Sequence, residues 1–198
     1  MAKKKTVPEL PPTIPSVPSG RWEGVWVMAV LVLLIGLHFH RLLSVNWGME
    51  AGDAQLWSAH RSKLSLLQGL FATAMPYLGL GNLGALVIGD FTPLFWAFLP
   101  AAKSMEALAA FAVLLGGIFF YLFLRARRYG FWPSLAGMVA YGFSTTIMSV
   151  SYAGHIGKFY GVAYLAGGLW LMERAFAKKS WLAAAGAGLS VGYSLAQA

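Results

Sequence analysis

The sequence predicts an all-α membrane protein: a polytopic bundle of about five transmembrane helices, N-terminus cytoplasmic, with interfacial helices in the first outer loop. Three observations lead there. The 198 residues are 58% hydrophobic and only 11% charged, against about 25% charged in a soluble domain, too few to cover a water-facing surface. The apolar residues fall in runs that approach the roughly 20 residues needed to cross a bilayer. The basic residues, 15 against 7 acidic, cluster at the ends of those runs, as the positive-inside rule requires.

The formal charge of +8 would suggest nucleic acid in a soluble protein. Here the cations flank apolar runs instead of forming a groove-reading face, so nucleic acid is not an expected partner. Membrane lipids are. The chain has no cysteine, which excludes disulfides, thiolate metal sites and cysteine nucleophiles.

Residues 1–21 carry Lys3, Lys4 and Lys5 and then Pro8, Pro11, Pro12, Pro15 and Pro18, the composition of a disordered, polyproline-like cytoplasmic tail. The transmembrane domain follows over 22–198. Its first span runs from about Trp22 to Leu43; the long lead and the lack of a small-x-small cleavage site make it an anchor and not a signal peptide. The outer loop, about 45–103, opens with the polar stretch from Asn46 to Lys63. Leu64 to Ile88 is apolar but broken by Pro76, Gly79, Gly81 and Gly84, which favours interfacial or re-entrant helices over a span. Phe91 to Trp96 reads as an aromatic belt.

The later spans are expected near Ser104–Leu124, Phe131–Tyr152 and Phe159–Met172, the last one short, with a Gly154–Lys158 turn before it. A fifth begins at Trp181 and is still apolar at Ala198, so the chain reads as the N-terminal part of a longer protein. With the N-terminus inside, Lys3, Lys4, Lys5, Arg21, Arg125, Arg127, Arg128, Arg174, Lys178 and Lys179 are cytoplasmic. Treating Leu64–Ile88 as a span would put the Arg125–Arg128 cluster outside, against the rule.

Several motifs have bland readings. The Gly154-His-Ile-Gly-Lys158 run fails as a phosphate-binding loop, because Tyr152 and Phe159 stand where a glycine and a hydroxyl residue are needed. No nucleophile elbow surrounds a serine. His38 and His40 are too differently directed for a metal pair, and Gly188 with Gly192 reads as helix packing. Nothing in the chain calls for a metal or a cofactor.

Three places keep a chemical reading on the outer side. Asp53, with Gln55, lies just beyond the first span, although a loop acid is as often merely solvated. Asp90 follows Gly89, where a turn or helix N-cap is the plain alternative. His155 and Lys158 form a compact pair suited to an anionic group, or the lysine snorkels to lipid phosphate. Glu106, near the outer end of its span, is a weaker fourth, since acids within spans are costly.

Gly52-Asp-Ala-Gln55, Tyr121–Arg125, Ala140-Tyr-Gly-Phe-Ser144, Ala153–Lys158 and Glu173-Arg174 together resemble the N-terminal region of the bacterial YfhO family. That family is similar in layout to glycosyltransferases of the GT-C type. The resemblance covers roughly residues 22–198 and implies an enzyme of the bacterial cytoplasmic membrane. It would transfer sugar from a polyprenyl-phosphate donor to a cell-envelope acceptor on the outer face. On that resemblance Asp53 matches the catalytic base, while Gln55, Asp90, His155 and Lys158 bind substrate, the last two at the departing lipid phosphate. The competing expectations are a non-catalytic subunit packed against other membrane proteins and a lipid or solute transporter. The transporter requires paired broken helices, and only one broken region is present.

Overall fold

A computed structural model describes residues 20–40, 73–74, 83–84, 101–145 and 156–196. Among them are five helices: α1 (Glu23–His38), α2 (Ala101–Ala126), α3 (Phe131–Gly142), α4 (Ile156–Lys178) and α5 (Trp181–Ala196). A two-residue antiparallel pair joins β1 (Thr73–Ala74) to β2 (Leu83–Gly84), with Thr73 opposite Gly84 and Ala74 opposite Leu83. At these four positions, extended pairing replaces the interfacial helix expected there. Pro76, Gly79 and Gly81 lie between the two strands in sequence, and all three disfavour helix.

α2 is the central element, packed against α1, α3 and α4, while α5 packs along α4. Within α2, Glu106–Ala126 is the one stretch among the described residues long and apolar enough to cross a membrane, and half of its most apolar part is buried in the protein. α1 is a shorter apolar helix whose 16 residues span about 24 Å, less than the roughly 30 Å hydrocarbon core of a bilayer.

Two apolar clusters hold the bundle. One joins Val27 and Leu31 of α1 to Tyr121 of α2 and Met138 of α3. The other gathers Phe39, Leu108, Ala109, Ala110, Ala112, Val113 and Tyr160. So many buried alanines bring the helix backbones close together, the packing that membrane helices favour. Among the glycines of α2 itself, Gly116 and Gly117 make close approaches. A Cβ on Gly116 would lie 3.4 Å from the Ala163 backbone of α4, and one on Gly117 would lie 2.9 Å from Leu31 of α1. Two adjacent glycines thus admit a neighbour on each side of one helix.

The structure redraws two expected spans. α3 ends at Gly142, where the Phe143 amide donates back to Val139. α4 is longer than the Phe159–Met172 span anticipated from hydropathy alone. It begins at Ile156, so Gly157 and Lys158 are helical and not part of a turn, and it runs 23 residues to Lys178. Its extra turns hold Glu173, Arg174, Ala175 and Ala177, residues too polar or small to score as a span but good helix formers.

Helices α2 and α4 end alike. Arg128 and Lys179 adopt left-handed backbone, at φ 66° and 48°. Beyond them the Tyr129 amide donates to Leu124 O and the Ser180 amide to Ala175 O. These are Schellman closures with a cation where glycine is usual. Ser180 then caps the next helix, its Oγ accepting from the Ala183 amide at 3.3 Å, which satisfies a donor otherwise orphaned at the α5 N-terminus.

Candidate functional site

The bundle has two chemically different ends, and ion pairs identify the first. Glu23, the first residue of α1, meets Arg125 in the last turn of α2: Arg125 Nε lies 3.1 Å from Glu23 Oε1 and Nη2 donates to Oε2 at 3.3 Å. Tyr121, one turn earlier on the same face of α2, donates its hydroxyl to Glu23 Oε1 at 2.7 Å. Arg125 Nη1 also donates to the Tyr129 carbonyl at 2.7 Å, tying the α2 closure into the network. The Glu23 and Arg125 side chains are only 10% and 15% exposed. An acid at the start of an apolar helix is expensive unless paired; here guanidinium and phenol share it. The position at the α1 N-terminus also suits a negative charge.

Beside it Arg127 donates to Glu173 Oε1 of α4 at 3.1 Å. This pair is more exposed, at 55% and 29%, and contributes less than about 1 kcal/mol. Its value is topological: it puts the C-terminal ends of α2 and α4 side by side. The two helices therefore run parallel, and α1 runs antiparallel to α2. Arg21, Arg125, Arg127, Arg128, Arg174, Lys178 and Lys179 consequently share one end of the bundle. Arg174 lies over the Trp170 ring, 5.1 Å from its centroid.

The opposite end holds the start of α2, the C-terminus of α1 and the start of α4. Lys158 lies in the first turn of α4, where helical amides favour an anion. Glu106 is buried. His38 sets its ring edge-on to Phe39 at 4.8 Å and to Phe143 at 6.2 Å. His40 Nδ1 donates to the Leu37 carbonyl at 3.0 Å. Among the described residues no cluster could hold a metal ion, and the two histidines have separate aromatic and backbone contacts.

Of the residues singled out in the sequence, Asp53, Gln55, Asp90 and His155 lie outside the described residues, and Lys158 is placed by its backbone. Gly188 and Gly192 find no packing partner among the described residues: a Cβ on either would meet nothing within 4 Å. The glycines that pack in this part of the chain are Gly167 against Phe119, Gly168 against Val191 and Gly186 against Leu171.

Sequence reasoning used Arg125 and Arg127 for orientation and missed what they touch. Glu23 carried the available signal, an acid opening an apolar run. Tyr121 carried none, because a tyrosine among phenylalanines is ordinary composition. Tyr141 was equally silent; its hydroxyl donates to the Val162 carbonyl of α4 at 2.7 Å while its ring stacks on Phe120, 4.3 Å between centroids. No family model, curated protein or solved structure matches the chain.

Proposed function

We propose that this is a multi-pass protein of the bacterial cytoplasmic membrane, its basic end inside, acting as a GT-C-type glycosyltransferase related to the YfhO family. The observation that carries the membrane part is the distribution of side chains over the bundle. Large apolar residues face outward along the helices, among them Trp26, Val32, Leu33, Leu165, Leu182 and Leu189, while seven of the nine lysines and arginines among the described residues gather at one end. An apolar lateral surface of this extent suits lipid, and the cationic end suits the cytoplasm.

The chemistry then belongs to the other end. A donor sugar linked to polyprenyl phosphate would approach from the outer leaflet. The first turn of α4, with Lys158, offers its leaving phosphate a helix N-terminus and a cation. Asp53 serves as the base that takes the proton of the acceptor hydroxyl while that oxygen attacks the anomeric carbon. His155 and Lys158 stabilise the charge that collects on the departing phosphate, and Gln55 and Asp90 hold the sugar.

Two measurements test this. In cells making the protein, Asp53→Asn should lower sugar transfer to the envelope acceptor by about 100-fold or more; unchanged transfer overturns the assignment. The cysteine-free chain also permits single-cysteine mapping. Gly154→Cys should react with an impermeant maleimide in intact cells and Lys178→Cys should not; the reverse pattern would invert the orientation.

A second reading rests on the uncovered Gly188–Gly192 face of α5. A non-catalytic subunit would use it to receive a helix of a larger complex. Loss of co-purifying membrane proteins on Gly188→Leu, with sugar transfer absent from the wild type, would favour that reading.

A further inference from the structure

The end of the bundle marked by the ion pairs combines two features that are separate in the sequence. Seven basic residues stand there with two acidic ones, Glu23 and Glu173, both already engaged by arginines. The same end carries the most exposed large aromatics described: Trp181 at 80%, Phe176 at 76%, Trp132 at 74% and Trp22 at 64%. Tyr129 is also exposed there, at 52%. Lys178 and Lys179 lie between Phe176 and Trp181 in the chain, Arg128 precedes Trp132, and Arg21 precedes Trp22. Tryptophan and tyrosine rings, apolar in body and polar at one edge, settle at headgroup depth, an exposed phenylalanine beside them adds apolar area, and lysine and arginine stems reach from there to phosphate.

We propose that this end is a binding surface for anionic phospholipid, with Arg21, Arg174, Lys178 and Lys179 meeting the headgroup charge and Trp132, Phe176 and Trp181 setting the depth. Charge complementarity selects the lipid. A zwitterionic headgroup offers no net attraction, whereas an anionic leaflet attracts each nearby cation. An acidic cytoplasmic protein would match the charge but not the exposed rings, which need an apolar boundary. The proposal rests on the membrane reading above and adds a lipid preference to it.

Tryptophan quenching by brominated lipid tests it with the whole protein reconstituted in vesicles. Brominated phosphatidylglycerol should quench more than brominated phosphatidylcholine, with an apparent association preference of at least about threefold. The triple variant Arg174→Gln, Lys178→Gln, Lys179→Gln should bring that preference near unity, and Lys178→Arg with Lys179→Arg should retain it. Equal quenching by the two lipids in the wild type overturns the lipid preference while leaving the membrane reading intact. Quenching by neither overturns the membrane reading itself. An undiminished preference in the triple variant would overturn the assignment to these residues, and binding of an acidic protein without lipid preference would overturn the lipid surface.

Discussion

Glu23 and Arg125 stand 102 residues apart in the chain and touch at 3.1 Å in the fold. Their pairing joins the N-terminus of α1 to the C-terminus of α2 where both side chains are largely withdrawn from solvent. Removing one partner leaves the other charge stranded, and for buried pairs that costs about 3 kcal/mol or more. Arg125→Met should therefore lower the midpoint of unfolding in detergent markedly. Glu23→Gln, which keeps an acceptor for Tyr121, should cost less than Glu23→Leu.

Arg127 and Glu173 provide the contrast. Their pair is open to water, so Arg127→Gln should change stability by less than about 1 kcal/mol. Measuring both arginine variants in one denaturation series separates the two environments; equal losses would contradict the difference in burial.

Tyr141 joins α3 to α4 through the carbonyl of Val162. Tyr141→Phe keeps the stacking on Phe120 and removes only the hydroxyl, at an expected cost of about 1 kcal/mol. Tyr141→Leu removes both contacts and should cost more. A difference in midpoint between the two variants reports the ring contribution by itself.

The left-handed residues Arg128 and Lys179 occupy backbone that glycine enters without strain. Replacing either by glycine should relieve about 1 kcal/mol of strain, partly offset by the lost favourable charge at a helix C-terminus. A small net rise in thermal midpoint is expected for Lys179→Gly, whose side chain is exposed. At Arg128 the gain should be smaller, because that residue has a further interaction of its own.

Glycines that look alike in the sequence should respond differently. Gly116→Leu must push Ala163 of α4 away and should cost about 1–3 kcal/mol or more. Gly188→Leu enters open space and should leave the stability of the isolated protein nearly unchanged.

Much of the helical layout was legible because long apolar runs and terminal cations constrain helices strongly. The α2 boundaries and the α5 start follow the hydropathy closely. The length of α4 was not legible, since its last turns are too polar to extend an apolar run while remaining helical. Nor was the partner of Glu23: an ion pair between distant helices has no local pattern, only the cost of an unpaired acid. Gly188 and Gly192 are a related case. Their spacing permits close approach without saying whether a neighbour comes, and among the described residues Gly167, Gly168 and Gly186 take that role. The candidate base Asp53 and the candidate substrate-binding residues Gln55, Asp90 and His155 rest on the sequence, and Lys158, also a candidate for substrate binding, gains a helical position.

The Glu23–Arg125 pair also sets an order of events during biosynthesis. α1 emerges from the ribosome first, and its acid has no guanidinium to meet until 102 further residues have been made. At ordinary rates of elongation that delay is about 5–20 s. Under the proposed membrane reading, Glu23 would keep its hydration through that interval only by staying at the aqueous boundary, so the first helix would enter the bilayer with its N-terminal end held at the surface. Arrival of Arg125 would then fix the depth of α1, and the late-made arginine would act as the stop that completes an insertion begun a hundred residues earlier.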